Sequence, residues 1–106
     1  MFARRLTMKL KANTATEFAK TLDTQIIPTL RKQKGFQDEL VFVGPEGKEA
    51  FAVSLWDGKE NAEAYNRSVY PEMLKTLNNL VEGIPQVQTY EVLTSTLHKN
   101  AAGITA

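Results

Sequence analysis

The aromatic residues between Trp56 and Tyr70 are the side chains best suited to hold a small molecule. Trp56 ends an apolar run that begins at Ala50, and Tyr65 and Tyr70 follow on a helix-like stretch. An indole ring can stack on a planar ligand, and a phenol can donate a hydrogen bond to a ligand oxygen. The same side chains can instead fill a core, with Trp56 closing a junction between a strand and a helix. Both interpretations stay open at the level of the sequence.

Polar residues near these aromatics extend the candidate set. Asn66 and Arg67 follow Tyr65 and can orient a ligand carbonyl or anion, although solvated surface residues look the same in a sequence. Arg5 lies in a predicted central strand, where a charged side chain must be paired or reach water. It can point into a cavity, or it can pair with Glu91 of the neighbouring strand. The candidate substrate-binding residues are therefore Trp56, Tyr65, Asn66, Tyr70 and Arg5.

Several kinds of chemistry are excluded by what the chain lacks. There is no cysteine, which removes disulfides, thiolate zinc sites and a cysteine nucleophile. Asp38 and Glu39 alone are too few ligands for a metal ion, and no glycine-rich phosphate loop is found. His98 is the single histidine and a potential general base, but it falls in a predicted tail. We predict neither a metal nor a cofactor, and we assign no catalytic residue.

Charge and hydropathy favour one ordinary globular domain. A net charge of +1 over 106 residues gives no electrostatic case for binding nucleic acid or an anionic membrane. No apolar run approaches the roughly 18 residues of a membrane span, and the first residues do not resemble a signal peptide. The predicted location is the cytoplasm.

The first elements follow from residue periodicity and turn chemistry. Alternation of side chains predicts a strand over residues 2–10. A helix should follow, because Thr14 and Glu17 fit a capping box. Pro28 removes a helical hydrogen bond and should interrupt this helix just before it. Gly35 is expected to end the helix in a left-handed conformation.

Two apolar runs, residues 36–43 and 50–56, are joined by a short turn sequence and predict a hairpin. The second run is apolar on both faces, so both faces should be covered. Asp57 is expected to cap the helix that follows, with Glu60 three residues later.

The last third of the chain should contain a broken helix and a final strand. Pro71 disfavours helix at Tyr70, so a break is predicted there, with a further helical piece reaching Leu80. Residues 86–96 alternate as the fourth strand. We predict a single domain over residues 1–96 and a flexible tail over 97–106.

The resulting order is that of an α+β, ferredoxin-like βαββαβ fold, with a four-stranded antiparallel sheet and its helices on one face. The other face would be open in a monomer, although strands two and three are apolar on that side. A second copy of the chain is the commonest cover for such a face, so we predict a homodimer.

Three short stretches resemble the dimeric α/β-barrel superfamily, and within it the antibiotic biosynthesis monooxygenase-like proteins. They are Gly35-Phe36 after a basic helix end, the run Val53-Ser54-Leu55-Trp56-Asp57, and Tyr65 followed by Tyr70-Pro71. The resemblance covers about residues 2–96. It implies a ligand cavity between sheet and helices in each subunit, within a dimeric barrel.

The resemblance also implies a class of reaction. Enzymes of this family oxidise phenolic polyketides with molecular oxygen and without metal or flavin. Close relatives degrade haem with a helical histidine as iron ligand. The corresponding stretch here, residues 70–75, contains no histidine, and Tyr65 stands about where the haem degraders have a tryptophan. This departure argues against haem chemistry.

Two functional hypotheses remain. The first is a cofactor-independent monooxygenase-like enzyme that oxidises a planar aromatic or phenolic small molecule in a cavity within each subunit. The alternative is a homodimer that binds a small ligand without turnover or has a structural role. A pocket of ligand size with convergent polar groups would favour the enzyme.

Overall fold

The computed structural model describes residues 1–96, and they form a four-stranded antiparallel sheet covered by helices on one face. The strand order is β2-β3-β1-β4, so β1 and β3 are central and the other two strands are edges. The predicted α+β, ferredoxin-like fold is confirmed. The strands are β1 (Phe2–Leu10), β2 (Phe36–Val43), β3 (Glu49–Trp56) and β4 (Val81–Glu91), and the helices are α1 (Ala15–Thr21), α2 (Ile27–Arg31), α3 (Lys59–Ser68) and α4 (Tyr70–Leu77).

The two faces of the sheet differ because residues paired directly across strands share a face. One side, the helix face, packs on the helices through residues such as Leu6, Met8 and Ala52, all of which are buried. The other side carries no helix and is called the open face below. Its members follow from the register and include Ala3, Arg5, Thr7, Leu40, Phe42, Phe51, Val53, Leu55, Gln88 and Tyr90.

The long first helix is interrupted where Pro28 predicts it. A π-helical segment, Leu22–Ile26, joins α1 to α2, and Pro28 lies in the first turn of α2. Proline cannot donate the backbone hydrogen bond that an uninterrupted helix needs, so the preceding turn widens. The interruption is thereby confirmed. None of the helices described over residues 1–96 is long and apolar enough to span a membrane.

The boundaries of the last strand were predicted wrongly. It runs from Val81 to Glu91 and not over residues 86–96, and the preceding helix ends at Leu77. Gly83 has a φ of +71° and the pairing with β1 shifts register between Thr7 and Lys9, so a bulge absorbs the glycine and the proline near it. An edge strand tolerates these residues because one side of its backbone needs no partner strand.

Two predicted helix caps are not formed as expected. Gly58, and not Asp57, occupies the N-cap of α3, and the Asp57 carboxylate accepts hydrogen bonds from Asn61 Nδ2 at 3.0 and 3.2 Å. Thr14 does occupy the N-cap position of α1, but its hydroxyl donates to the carbonyls of Lys11 and Leu80 and accepts no hydrogen bond from the helix N–H groups. The predicted tail, with His98, lies outside the described residues.

Gly35 connects α2 to β2 at a crowded place. Its φ is +82°, as the left-handed helix end predicts, and its carbonyl accepts a hydrogen bond from Asp57 N at 2.8 Å. A Cβ at this position would lie 2.5 Å from Asn61 Nδ2, closer than atoms in proteins approach.

Replacing this glycine tests the junction, with a second glycine as a matched control. Gly83 has a similar positive φ, but a Cβ there would have no heavy atom within 4 Å. Gly83→Ala should therefore lower the free energy of unfolding by only about 1 kcal/mol, the cost of holding an alanine at a positive φ. Gly35→Ala should lower the free energy of unfolding by roughly 2–4 kcal/mol, because overpacking adds to that cost. Urea unfolding measures both, and equal losses would contradict the steric argument.

Candidate functional site

The candidate site is built around Arg4, which lies on the helix face of the central strand β1. The side chain is 5% exposed. In the register of the sheet it stands opposite Ser54 of β3 on one side and Thr89 of β4 on the other. Its terminal nitrogen donates a hydrogen bond of 2.9 Å to Oδ1 of Asn66 on α3. Helix α3 thereby fixes the orientation of the guanidinium.

Two tyrosines cover this guanidinium from the helix layer. Its central carbon lies 4.0 Å from the centre of the Tyr70 ring and 5.3 Å from that of Tyr65. A cation over an aromatic face within about 6 Å is attracted by the quadrupole of the ring. The break between α3 and α4 matters here, because α4 begins at Tyr70 and so carries this ring over Arg4.

A carboxyl group completes the cluster from the edge of the sheet. Glu39 of β2 pairs with Ser54 of β3, which pairs with Arg4 of β1, so the three residues lie in a row across the helix face. Burial raises the pKa of Glu39 to about 8, against the opposing effect of the Arg4 charge. This half-buried carboxyl group is therefore mostly protonated at pH 7. Arg4 forms no ion pair with any residue in the range 1–96.

Some polar atoms of the cluster have no partner in the described chain. Arg4 Nε and the Tyr70 hydroxyl are buried and make no hydrogen bond of good geometry within residues 1–96, although the Arg4 guanidinium is near enough to the Tyr70 hydroxyl to oppose the rise of its pKa. Burial raises the pKa of both Tyr65 and Tyr70, with the Arg4 charge opposing it, so both phenols are neutral donors at physiological pH. Buried donors without hydrogen-bond partners lower the stability of the folded chain. A ligand that brings an acceptor to this cluster would therefore bind favourably.

The cluster borders two cavities. The inner cavity, of about 30 Å³, has apolar walls from β1, α4 and the π-helical segment, and a polar side made of Arg4, Glu39, Ser54, Tyr65 and Tyr70. Its volume leaves room for a water molecule or two and is well short of the roughly 300–1,000 Å³ of a drug-sized site. The outer cavity, of about 130 Å³, lies between α3 and the strands β1 and β4. Arg4 is the one residue that lines both, so its side chain divides them.

Three of the five sequence-predicted residues meet at this cluster. Tyr65, Tyr70 and Asn66 all contact Arg4. Trp56 is fully buried, its Nε1 donates to Ser54 Oγ at 2.9 Å, and it lines neither cavity. Its ring packs edge-on against Phe36 and supports Tyr65 from behind at 5.1 Å between ring centres.

The remaining predicted residue, Arg5, lies on the open face, away from both cavities. Its guanidinium carbon is 4.8 Å from the centre of the Phe51 ring. The predicted pairing with Glu91 is wrong, because the antiparallel register places Gln88 opposite Arg5 and Glu91 opposite Phe2. Successive residues of a strand point to opposite faces, so Arg4, the residue before Arg5, lies on the helix face and Arg5 on the open face.

The sequence analysis missed Arg4 and Glu39 as site residues, although a signal for Arg4 exists. Arg4 shares its parity with Leu6, Met8 and Leu10, the apolar residues that predict the core face of β1. A cation in that row is a buried charge, which is rare and calls for a reason. Residues 1–96 contain no group of three or more His, Asp or Glu side chains placed to hold a metal ion.

Comparisons with known proteins place the fold but not the activity. No protein-family model matches the chain, and no curated protein sequence matches it. Solved structures match over most of its length. One is a Bordetella bronchiseptica protein provisionally named an antibiotic biosynthesis monooxygenase, with a TM-score of 0.74 and 12% identity over 88% of this chain and 97% of that one.

Two further matches have more specific descriptions. SnoaB, a cofactor-independent oxygenase from Streptomyces nogalater, has a TM-score of 0.73 and 8% identity over 90% of this chain and 95% of that one. The ActVA-Orf6 monooxygenase of Streptomyces coelicolor, solved with the ligand nanaomycin D, has a TM-score of 0.71 and 14% identity over 89% and 92%. The chain therefore has the fold of antibiotic biosynthesis monooxygenase-like proteins, as the resemblance in its sequence implied.

The pH dependence of stability tests whether Glu39 is buried in its neutral form. Its pKa is raised from 4.5 to about 8 in the folded chain, so the folded state holds this proton more tightly than the unfolded state. Stability should therefore fall as pH rises from about 5 to about 8, by at most about 1.4 kcal/mol per pH unit. Urea unfolding across this range measures the slope.

Two variants separate Glu39 from other carboxyl groups. Glu39→Gln removes the titrating group and should flatten the curve, whereas Glu63→Gln, on the exposed side of α3, should leave the slope in place. A wild-type stability that is level or rises over this range would contradict the neutral state of Glu39.

Proposed function

We propose that the protein is a monooxygenase-like enzyme that oxidises a planar phenolic small molecule with molecular oxygen at the Arg4 cluster. The observation that carries this proposal is the buried Arg4 guanidinium, which lacks an ion pair within residues 1–96 and faces two neutral phenols beside a cavity. The shared fold with oxygenases supports it at the level of architecture.

The chemistry needs an anion to form on the substrate. A phenol becomes reactive towards oxygen as its phenolate or enolate, and a fixed cation in a site of low dielectric stabilises that charge. Arg4 supplies the cation, and the Tyr70 hydroxyl supplies a donor that no described residue uses. For a hydroquinone, one atom of oxygen enters the ring as a new hydroxyl group and the other leaves as water, so that the product is a hydroxyquinone. Tyr65 and Asn66 position the guanidinium and the substrate.

The alternative is a homodimer that binds a small ligand without turnover or has a structural role. The size of the inner cavity, about 30 Å³, favours this alternative, because a ring cannot enter it without movement of Arg4 or of the helices.

Oxygen uptake distinguishes the two functions. The purified protein is mixed with hydroquinone-type and anthrone-type phenols, with no added cofactor, and the product is checked for one atom of labelled oxygen. We expect uptake with at least one phenol, and Arg4→Met should lower kcat/KM by roughly 10²–10³-fold, as the loss of an oxyanion stabiliser does.

The neighbouring arginine provides the control for this experiment. Arg5→Met removes the same charge from the open face and should leave the rate within about twofold of wild type. Binding of phenols without any oxygen uptake would reject the enzyme in favour of the binding protein. Equal losses in the two variants would reject Arg4 as the anion-stabilising group.

The open face supports the second part of the proposal, a homodimer formed sheet to sheet. Leu40, Phe42 and Tyr90 are each 45–46% exposed, and Phe42 stacks on Phe51 with 4.5 Å between ring centres. Arg5 Nε on the same face is buried without a hydrogen-bond partner in residues 1–96. A second copy of the chain would remove these apolar side chains from water.

A charge on the open face should break this dimer. Phe42→Glu should convert the protein to a monomer, as measured by light scattering after gel filtration, because two buried like charges would face each other across the symmetric interface. Val43→Glu is the matched control. Val43 is 46% exposed like Phe42 but pairs with Ala50 on the helix face, so this variant should remain dimeric. A monomeric wild type would refute the dimer.

A further inference from the structure

We propose that the ligand of this site is an aromatic monoanion with a single ring, whose ring occupies the outer cavity and whose anionic group pairs with Arg4. This inference rests on the proposed function for the location of the site. It goes further by naming the charge and size of the ligand, and it requires no oxidation.

The charge of the ligand follows from the charge of the cluster. Arg4 is 5% exposed and forms no ion pair within residues 1–96, and the carboxyl group nearest to it along the sheet row, Glu39, is mostly protonated at pH 7. Tyr65 and Tyr70 add no negative charge. A buried cation with neutral neighbours is costly in the empty protein, and an anion that pairs with it recovers that cost.

The size of the ligand follows from the outer cavity. Its volume of about 130 Å³ is close to the roughly 150 Å³ of a cavity that accommodates benzene. Phe2, Ala62 and Val87 provide apolar walls, and Arg4 closes the inner end. A single ring fits this space with its anionic group towards Arg4, whereas three fused rings exceed its volume of about 130 Å³.

The anionic group would use a donor of Arg4 that has no partner within residues 1–96. The Arg4–Asn66 hydrogen bond of 2.9 Å uses one terminal nitrogen, and Nε has no acceptor within residues 1–96. A guanidinium can bind a carboxylate or phenolate through two parallel N–H donors, so the ligand can use Nε without loss of Asn66.

Glu39 makes this binding depend on pH. When Glu39 loses its proton, the new carboxylate neutralises Arg4 from the inner cavity and competes with the ligand for it. The charged and titratable groups around Glu39 are Arg4 on β1, Arg31 on α2, Asp38 on β2, Tyr65 on α3 and Tyr70 on α4. The exposed Glu63 borders the outer cavity, and its Oε2 lies 4.0 Å from Nζ of Lys59. Ligand affinity should therefore fall as Glu39 ionises.

Calorimetric titration with benzoate, and with neutral benzamide of the same shape, tests the proposal. Near pH 6 the intact wild-type protein should bind benzoate at least about tenfold more tightly than benzamide, since a charge-assisted pair is lost with the amide. Benzoate stays ionised from pH 6 to pH 9. A tenfold or greater loss of its affinity near pH 9 would therefore show the ionisation of Glu39. Anthracene-2-carboxylate, with the same charge and three fused rings, should bind at least about tenfold more weakly than benzoate.

Glu39→Gln is the decisive variant, because glutamine keeps the shape and the neutral state. It should bind benzoate at pH 6 as wild type does and keep that affinity at pH 9. The proposal would be overturned by equal affinities for benzamide and benzoate. It would also be overturned if the benzoate affinity of the wild-type protein did not change with pH, or if the anthracene acid bound more tightly than benzoate.

The titration tests the anion site and the oxygen assay tests the enzyme, so either proposal can be rejected without the other. Benzoate binding as described, with no oxygen uptake from any phenol, would reject the enzyme and keep the anion site. Oxygen uptake from phenols without selective benzoate binding would keep the enzyme and reject the monoanion of one ring.

Discussion

The buried positive charge of Arg4 is the constraint around which this structure is arranged. A cation on the helix face of a central strand cannot reach bulk water, so its surroundings must stabilise it. Asn66 accepts a hydrogen bond from it, and the faces of Tyr65 and Tyr70 lie against it. The nearby carboxyl group of Glu39 stays protonated because its own burial outweighs the attraction of Arg4. The result is a site with net positive charge inside a small domain.

The helix layer is shaped to keep that site open on two sides. The π-helical segment Leu22–Ile26 and the break before Tyr70 both fall over the sheet row of Arg4 and Glu39. Widened helical turns occur often at functional places, since they move side chains away from ideal helical spacing. Here the break between α3 and α4 lets one tyrosine from each helix reach the same guanidinium. The packing leaves an inner and an outer cavity that only the Arg4 side chain separates.

Adjacent arginines on β1 face two different environments. Arg4 meets the helices and the cavities, whereas Arg5 lies over Phe51 on the open face. Because strand side chains alternate, a single residue step moves a charge from one layer to the other. The same alternation places Phe42 outward and Val43 towards the helix side, although their exposures are nearly equal. The sheet therefore separates the proposed small-molecule site on one face from the proposed subunit interface on the other.

Local sequence signals determined most of the architecture. Alternation over residues 2–10, the apolar run over residues 36–43, the proline at position 28 and the left-handed glycine at position 35 are signals that act within a few residues, and the structure agrees with each of them. Signals that compete over short distances misled the prediction. Gly83 and nearby Pro85 resemble a helix end, but a bulge absorbs them within an edge strand. Asp57 resembles a helix cap, but Asn61 captures its carboxylate.

The candidate site was only partly visible in the sequence. Tyr65, Asn66 and Tyr70 could be selected by residue type and helical spacing, and Arg4 could have been selected by its parity with Leu6 and Met8. The approach of Glu39 to Arg4 could not, because it depends on the order β2-β3-β1 and on the register that places Ser54 between them. Registers between strands distant in the chain are set by packing of the whole helix face. The sequence by itself therefore determined the elements and their faces, and only the tertiary structure decided which charges meet, since that depends on long-range pairing and burial.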